Sequence, residues 1–186
     1  MASDDLETDF TRLVGEVRAE EAVISRVRER HLRAAASAGA TLGGVLLDLA
    51  EQDAPVDLRT VAGRTVRGRI VMVATDAIVI EDSEGAVSYV PLRAVSTVRT
   101  TGRHAVDAPA GDRAAPRPVT FAVLVAELAG ERPQVTISVV GSPDLLTGEL
   151  RAAGVDVLTV WLDADTPVSA LVAYDQIAEL TVTSLA

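Results

Sequence analysis

Five short segments of alternating or continuous apolar residues lie between residues 56 and 99, separated by turn residues. They are rich in valine and isoleucine, which favour β-strands, and they span residues 56–61, 65–73, 77–81, 87–90 and 95–99. Gly68, inside the second segment, has no side chain to pack and is typical of a sharp bend or a close backbone approach. A helix followed by five short, bent strands is the plan of a small closed β-barrel.

The second segment is expected to have two unlike faces, because side chains alternate along a strand. One face is formed by Val66, Gly68, Ile70 and Met72, and the other contains Arg67 and Arg69. The pattern therefore predicts an apolar inner face and a basic outer face.

Two stretches before the strands have helical spacing. Residues 1–9 are polar and are expected to be a disordered tail, and residues 10–36 predict an N-terminal amphipathic helix. That helix needs a partner surface, which is either the barrel of its own chain or another subunit. Thr41 can cap a second, short helix with one apolar stripe formed by Leu42, Val45, Leu46 and Leu49.

The whole pattern occurs a second time along the chain. The offset between matched positions is 79 residues at first, then 80, then 82, and the added residues fall near predicted turns. Residues 41–99 and 120–183 are therefore predicted to be two copies of one domain, joined by a proline-containing linker over residues 100–118. Matched pairs include Thr41 with Thr120, Gly68 with Gly148, Asp76 with Asp156, and Val98 with Leu180.

The first copy resembles the Sm-like fold of Sm, LSm and Hfq proteins. The resemblance rests on the run G-R-T-V-R-G-R-I from Gly63 to Ile70, on Asp76 followed by A-I-V-I, and on the closing A-V-S-T-V. A weaker similarity is to the C-terminal small barrel of RimP ribosome maturation factors. The resemblance implies a mainly β chain with short helices, in which two tandem Sm-like (SH3-like) barrels share structural motif positions Gly63, Gly68, Asp76, Gly148 and Asp156.

The base-binding residues of those families are replaced in this chain. The sequence has no asparagine to follow the aspartate, and Ala77 and Ile78 stand where Hfq has a stacking aromatic residue. Pro91, Leu92 and Arg93 stand in place of its Tyr-Lys-His. The RNA pockets implied by the resemblance are therefore not retained residue by residue.

Charge is distributed unevenly between the two copies. The net charge is −10, and residues 119–186 carry two arginines against nine acidic residues, whereas residues 41–103 carry seven against eight. Arginine binds phosphate through its two-pronged guanidinium group. A basic face on the first barrel that contacts RNA is therefore predicted from Arg67, Arg69, Arg93 and Arg99, of which the first two correspond to Thr147 and Glu149 in the second copy.

No residue cluster in the sequence indicates catalysis or a cofactor. The chain has no cysteine, and its two histidines, His31 and His104, lack the spacing of metal ligands. Asp76 and Asp156 occupy equivalent turns, which favours a turn role over a pair of catalytic carboxylates. The acidic start is unlike a secretory or transit peptide, and no apolar run reaches the roughly 18 residues of a membrane span. A cytoplasmic protein that is not an enzyme and has no membrane partner is expected.

Two functions follow as expectations. The first is a non-catalytic Sm/Hfq-like protein that contacts RNA or a ribonucleoprotein through the arginine face. The alternative is an acidic protein-interaction or assembly module without nucleic acid. Because Sm-like barrels join edge to edge, the resemblance also implies a homo-oligomer, with three chains forming a pseudo-hexameric ring; a compact monomer or dimer stays open.

Overall fold

Ten antiparallel strands form one continuous sheet in the computed structural model, which describes residues 25–31, 34, 38–100, 118–163 and 168–184. The predicted tail, most of the predicted helix 10–36 and the interior of the predicted linker lie outside these residues. Residues 25–31 are helical and exposed. The prediction of a mainly β chain with short helices is confirmed.

The strands of the first half lie within one residue of the five predicted segments. They are β1 (Pro55–Thr60), β2 (Thr65–Val73), β3 (Ala77–Glu81), β4 (Val87–Pro91) and β5 (Val95–Thr100). The strands of the second half are β6 (Gln134–Val139), β7 (Leu145–Ala153), β8 (Val157–Leu162), β9 (Val168–Ala173) and β10 (Ile177–Ser184). Helices α1 (Leu42–Glu51) and α2 (Phe121–Glu131) precede the halves, and short 3₁₀ turns η1 (Leu92–Ala94) and η2 (Tyr174–Gln176) follow β4 and β9.

The two halves have the same internal strand order. The sheet runs β5-β1-β2-β3-β4-β10-β6-β7-β8-β9, so each half follows the sequence fifth, first, second, third, fourth. Pairing registers agree as well, since Leu58 lies opposite Val98 and Ile137 lies opposite Leu180. These pairs reproduce the sequence offsets of 79 and 82 residues between the halves.

Each helix begins at a threonine cap and packs on its own half. The Thr41 hydroxyl accepts a hydrogen bond from the Gly44 amide at 3.1 Å, and the Thr120 hydroxyl accepts one from the Val123 amide at 3.4 Å. These contacts satisfy amides that have no partner within the first helical turn. Helix α1 contacts β2, and α2 contacts β7.

Strand β3 contributes to both hydrophobic cores. Ile78 and Ile80 lie in the core of the first half, whereas Ala77 and Val79 lie in the core of the second half. Alternation along the strand sends these pairs to opposite faces, and both faces are covered. A short continuous apolar run is typical of a strand buried on two sides.

The predicted inner face of β2 is wrong beyond Ile70. A register shift between Ile70 and Met72 leaves Val71 exposed, and Val73 joins Ile70 in the first core. Met72 packs instead against the second core. An extra residue in one strand of a pair changes which side chains face inward, and β7 has the same bulge after Leu150.

Candidate functional site

The two halves meet where β4 pairs with β10. Tyr89 lies opposite Leu180, and Ser88 lies opposite Thr181. This internal junction also includes the β2–β3 turn and η1 of the first half, which contact the start of α2 and η2 of the second half. It is a strand-to-strand contact that merges two five-stranded units into one sheet.

A chain of polar side chains, which includes the buried residues Ser88 and Glu179, crosses the internal junction. Arg64 Nε lies 2.9 Å from Glu179 Oε2, and the Thr181 hydroxyl donates to Glu179 Oε1 at 3.0 Å. The Ser88 hydroxyl lies 2.8 Å from the Thr181 oxygen and donates to it, because the Thr181 proton is already used. Glu179 is only 5% exposed, so these hydrogen bonds replace the water that an exposed carboxylate would bind.

Arg93, one of the four predicted RNA-contacting residues, is part of the internal junction. Its guanidinium group donates to the carbonyl oxygens of Tyr174, of Asp175 at 3.3 Å and of Ile177 at 3.5 Å. These acceptors lie in and beside η2. Arg93 therefore holds the halves together within the chain.

Asp76 also connects the halves. Its carboxylate Oδ1 accepts a hydrogen bond from the Phe121 amide at 2.6 Å, at the first residue of α2. Its carbonyl oxygen accepts from the Leu92 amide at 2.8 Å, as the carbonyl oxygen of Asp156 accepts from Tyr174 at 2.9 Å. The backbone role is the same in both turns, whereas the bridging carboxylate contact is observed at Asp76.

The backbone favours glycine at the predicted glycine positions, by its conformation at Gly63 and by close contact at Gly68 and Gly148. Gly63 has a φ of 83° in the β1–β2 turn, a conformation that few other residues adopt. A Cβ at Gly68 would overlap the Glu81 carbonyl oxygen and lie 2.7 Å from its carbon. At Gly148 a Cβ would meet the Trp161 carbonyl group in the same way.

Both tyrosines of the chain lie at or near the internal junction. Burial raises the pKa of Tyr89, and the carboxylates of Glu131 and Glu127 raise it further. Tyr89 lines a groove of about 640 Å³ between the halves. Burial and the Asp156 carboxylate raise the pKa of Tyr174, whose ring meets Phe121 edge to face at 6.0 Å.

Arg59, Arg67 and Arg99 surround a depression of about 130 Å³ on the outer face of β5, β1 and β2. This arginine cluster also contains Asp57, which lies opposite Arg67 on one neighbouring strand and opposite Arg99 on the other. Arg67 Nε is 3.5 Å from Asp57 Oδ1, and hydroxyl groups of Thr65 and Thr97 complete the lining. Three positive charges against one negative charge leave the depression basic.

The four predicted RNA-contacting arginines do not form one surface. Arg67 and Arg99 belong to the arginine cluster, whereas Arg69 forms an ion pair with Asp53 at 2.5 Å and Arg93 lies at the internal junction. Arg59 was missed, although its outward position on β1 between two strands with arginines is a signal for it. Ser138, Thr147 and Thr181 stand at the cluster positions of the second half.

Strands β5 and β9 each have one neighbouring strand in the described part of the chain. Apolar side chains are exposed beside both edges. Leu42 precedes Gly43, where an added Cβ would lie 3.8 Å from the Leu92 side chain of η1, the turn that leads into β5. Leu42 is 44% exposed, whereas its counterpart Phe121 is 2% exposed. Leu171 on β9 is 73% exposed, although its counterpart Tyr89 is half-buried at the internal junction.

Within the described ranges, no group of three or more histidine, aspartate or glutamate residues is arranged to hold a metal ion. Nor is any helix among those residues long and apolar enough to cross a membrane. No protein-family model matches the chain, and no curated protein matches it in sequence.

Proposed function

We propose that the chain is a non-catalytic, self-associating Sm-like (Hfq-like) protein, in which each half is a small β-barrel. The pairing of β4 with β10 carries this proposal. It joins the fourth strand of one half to the fifth strand of the other, and within the described residues the same two kinds of edge have no neighbouring strand at the ends of the sheet. A second copy can then place its β5 beside β9 of the first copy. This pairing would repeat the one that β10 makes with β4 inside each chain.

The side chains at the free edges support this association. An unpaired strand edge offers backbone amides and carbonyls to another strand. Leu42 and Leu171 are exposed at positions where the internal junction buries or half-buries the corresponding aromatic residues. Covering them removes apolar surface from water, which favours association.

Head-to-tail contacts of this kind generate closed rings when the rotation between units closes. Three chains would then place six barrels in a pseudo-hexameric ring. The chain mass of 19.4 kDa gives about 58 kDa for that assembly. Light-scattering mass measurement over a range of concentrations tests the proposal, and a mass of 19.4 kDa at every concentration would refute it.

Two variants at the edges of the sheet test whether the contact is head-to-tail. Leu171→Glu places a charge in the apolar surface of β9, and Leu42→Glu places one at the start of α1, on the opposite edge. Each variant has one defective contact surface, so each alone should be monomeric. An equimolar mixture still contains one intact surface of each kind and should form a heterodimer of about 39 kDa, twice the chain mass of 19.4 kDa. Val71→Glu is the matched control, because Val71 is 53% exposed but lies on β2. A mixture that stays monomeric would contradict head-to-tail association.

RNA contact is a second candidate function, favoured by the arginine cluster of the first half. Three arginines converge there with two threonine hydroxyls, a combination that can bind the oxygens of a phosphate backbone. Affinity for single-stranded RNA should fall with salt at a log–log slope of about −2, since each neutralised phosphate contributes about −0.7.

Binding of labelled mixed-sequence RNA at two salt concentrations tests this candidate. Arg59→Glu and Arg99→Glu should each abolish the salt-sensitive binding. Arg132→Glu makes the same charge change on an exposed residue after α2 and should retain most of it. If the unaltered chain does not bind even at low salt, the arginine cluster has no role in RNA contact.

A further inference from the structure

In the proposed association, β9 of one copy lies beside β5 of the next, and we call this contact the chain-to-chain junction. It cannot contain the connected polar side chains that cross the internal junction. Thr97 stands at the position of Glu179, and Ala170 stands at the position of Ser88. Neither the ion pair to Glu179 nor the hydroxyl contact of Ser88 therefore has a counterpart between β9 of one copy and β5 of the next. Two of the polar connections are absent from the outer edges.

The arginine contact is absent as well. Asp175 in η2 occupies the position that Arg93 has in η1. Arg93 donates to carbonyl oxygens of the neighbouring half, whereas an ionised carboxylate can only accept hydrogen bonds. The outer edge of the second half therefore lacks its counterpart of the guanidinium contact.

One polar connection is retained at both ends. Asp156 is the counterpart of Asp76, and Leu42 is the counterpart of Phe121. Within the chain, the Asp76 carboxylate accepts a hydrogen bond from the Phe121 amide at 2.6 Å. Asp156 is exposed, and its carboxylate makes no hydrogen bond among the described residues. The Leu42 amide is at the first residue of α1, where no acceptor lies within its own helix.

We infer that a second copy of this chain seats the start of its α1 on Asp156, as α2 is seated on Asp76 within the chain. We further infer that this chain-to-chain junction is weaker than the internal junction and reversible. The inference rests on the proposed head-to-tail association and specifies how its two junctions differ. Strand pairing, the apolar contacts of Leu42 and Leu171 and one charge-assisted hydrogen bond hold the copies together.

Asp156→Ala tests the seated helix. Loss of one hydrogen bond to a charged group should raise the dissociation constant about tenfold, measured by sedimentation. The unfolding temperature of the dissociated chain should not change, because Asp156 is exposed. Asp156→Asn keeps an oxygen acceptor and should lose less affinity than Asp156→Ala.

Asp76→Ala is the matched control, because it removes the same type of contact inside one chain. It should lower the unfolding temperature. Unaltered self-association in Asp156→Ala would refute the seated helix and leave head-to-tail association standing, whereas a monomeric unaltered chain would refute both. Assemblies of the unaltered chain that resist dilution until the chains unfold would refute the weaker junction.

Discussion

Gly68 and Gly148 hold equivalent positions because two strands approach each other too closely for a side chain. The obstacle is backbone in both cases, the carbonyl group of Glu81 and that of Trp161. Backbone in a paired strand cannot move aside as a flexible side chain can. Glycine is therefore required by packing at these positions, as its place inside a strand pattern predicted.

Gly68→Ala should lower the free energy of unfolding by about 3 kcal/mol, because the added methyl group forces β2 and β3 apart. Urea denaturation measures the change. Gly130→Ala is the control, since the position is in α2 and no atom beyond the neighbouring helix backbone lies within 4 Å of the added Cβ. It should stabilise the chain by about 0.5–1 kcal/mol. Equal stability of the two variants would contradict the close approach.

Arg64→Ala should destabilise the chain by about 1–3 kcal/mol, because it leaves the buried Glu179 carboxylate without its cation. In a Glu179→Gln background the same change should cost less than half as much, since no buried charge remains. Urea denaturation of the unaltered chain, the two single variants and the double variant gives the coupling free energy. Additive effects would mean that the ion pair contributes nothing to the internal junction.

This ion pair could not be predicted from the sequence. Arg64 lies in a turn, and Glu179 is 115 residues away at a position where the first half has Thr97. An acidic residue in the acidic half gave no reason to expect burial. Its partner became identifiable only once β10 was known to lie beside β4.

At the scale of elements, strands were easier to predict than their faces and partners. Alternating burial produces a period of two in the sequence, which located β1 to β5. The bulge at Val71 adds one residue without changing composition, so the face of Met72 was predicted incorrectly. Trp161 on β8 is half-exposed beneath the Arg151 guanidinium, whose carbon lies 3.5 Å from the ring centre.

Strand β4 places Tyr89 where burial favours its neutral form. Below pH 10.0, the ordinary tyrosine pKa, Tyr89 is neutral in both the folded and the unfolded chain, so the stabilisation from its burial is fully present. As pH rises from 10.0 through the higher pKa of folded Tyr89, this hydroxyl ionises first in the unfolded chain. The free energy of unfolding should therefore fall. The decrease should level off above the folded pKa.

Tyrosinate absorbance measures this effect directly, because the chain contains only two tyrosines and the pKa of each is raised. The native midpoint should lie above 10.0 and return to about that value in denaturant. Tyr89→Phe should leave one titrating group, Tyr174, and reduce the loss of stability at high pH. A native midpoint at the unfolded value would contradict burial of both hydroxyl groups.

At the scale of the whole molecule, the shared strand β3 should make the two halves unfold together. Val79 belongs to the first half but packs in the core of the second. Val79→Ala should cost about 1–3 kcal/mol and lower the urea midpoint reported by Trp161, which lies in the second half. The same shift should be seen by circular dichroism.

Val71→Ala is the matched control for this prediction, because Val71 is 53% exposed on the neighbouring strand β2. Its effect should stay within about 0.5 kcal/mol. If Val79→Ala moved the circular dichroism midpoint but left the Trp161 midpoint unchanged, the halves would be separate folding units.

The covalent joining of two similar halves restricts the number of five-stranded units that a closed ring can contain. Each chain brings one copy of each half, and the internal junction is satisfied before chains meet. A ring built from whole chains must therefore contain an even number of five-stranded units. Its junctions must also alternate between two chemical kinds, so a substitution can alter every second junction and leave the others intact. In a ring of identical subunits that each contain one five-stranded unit, all junctions are the same, so a substitution changes every junction at once.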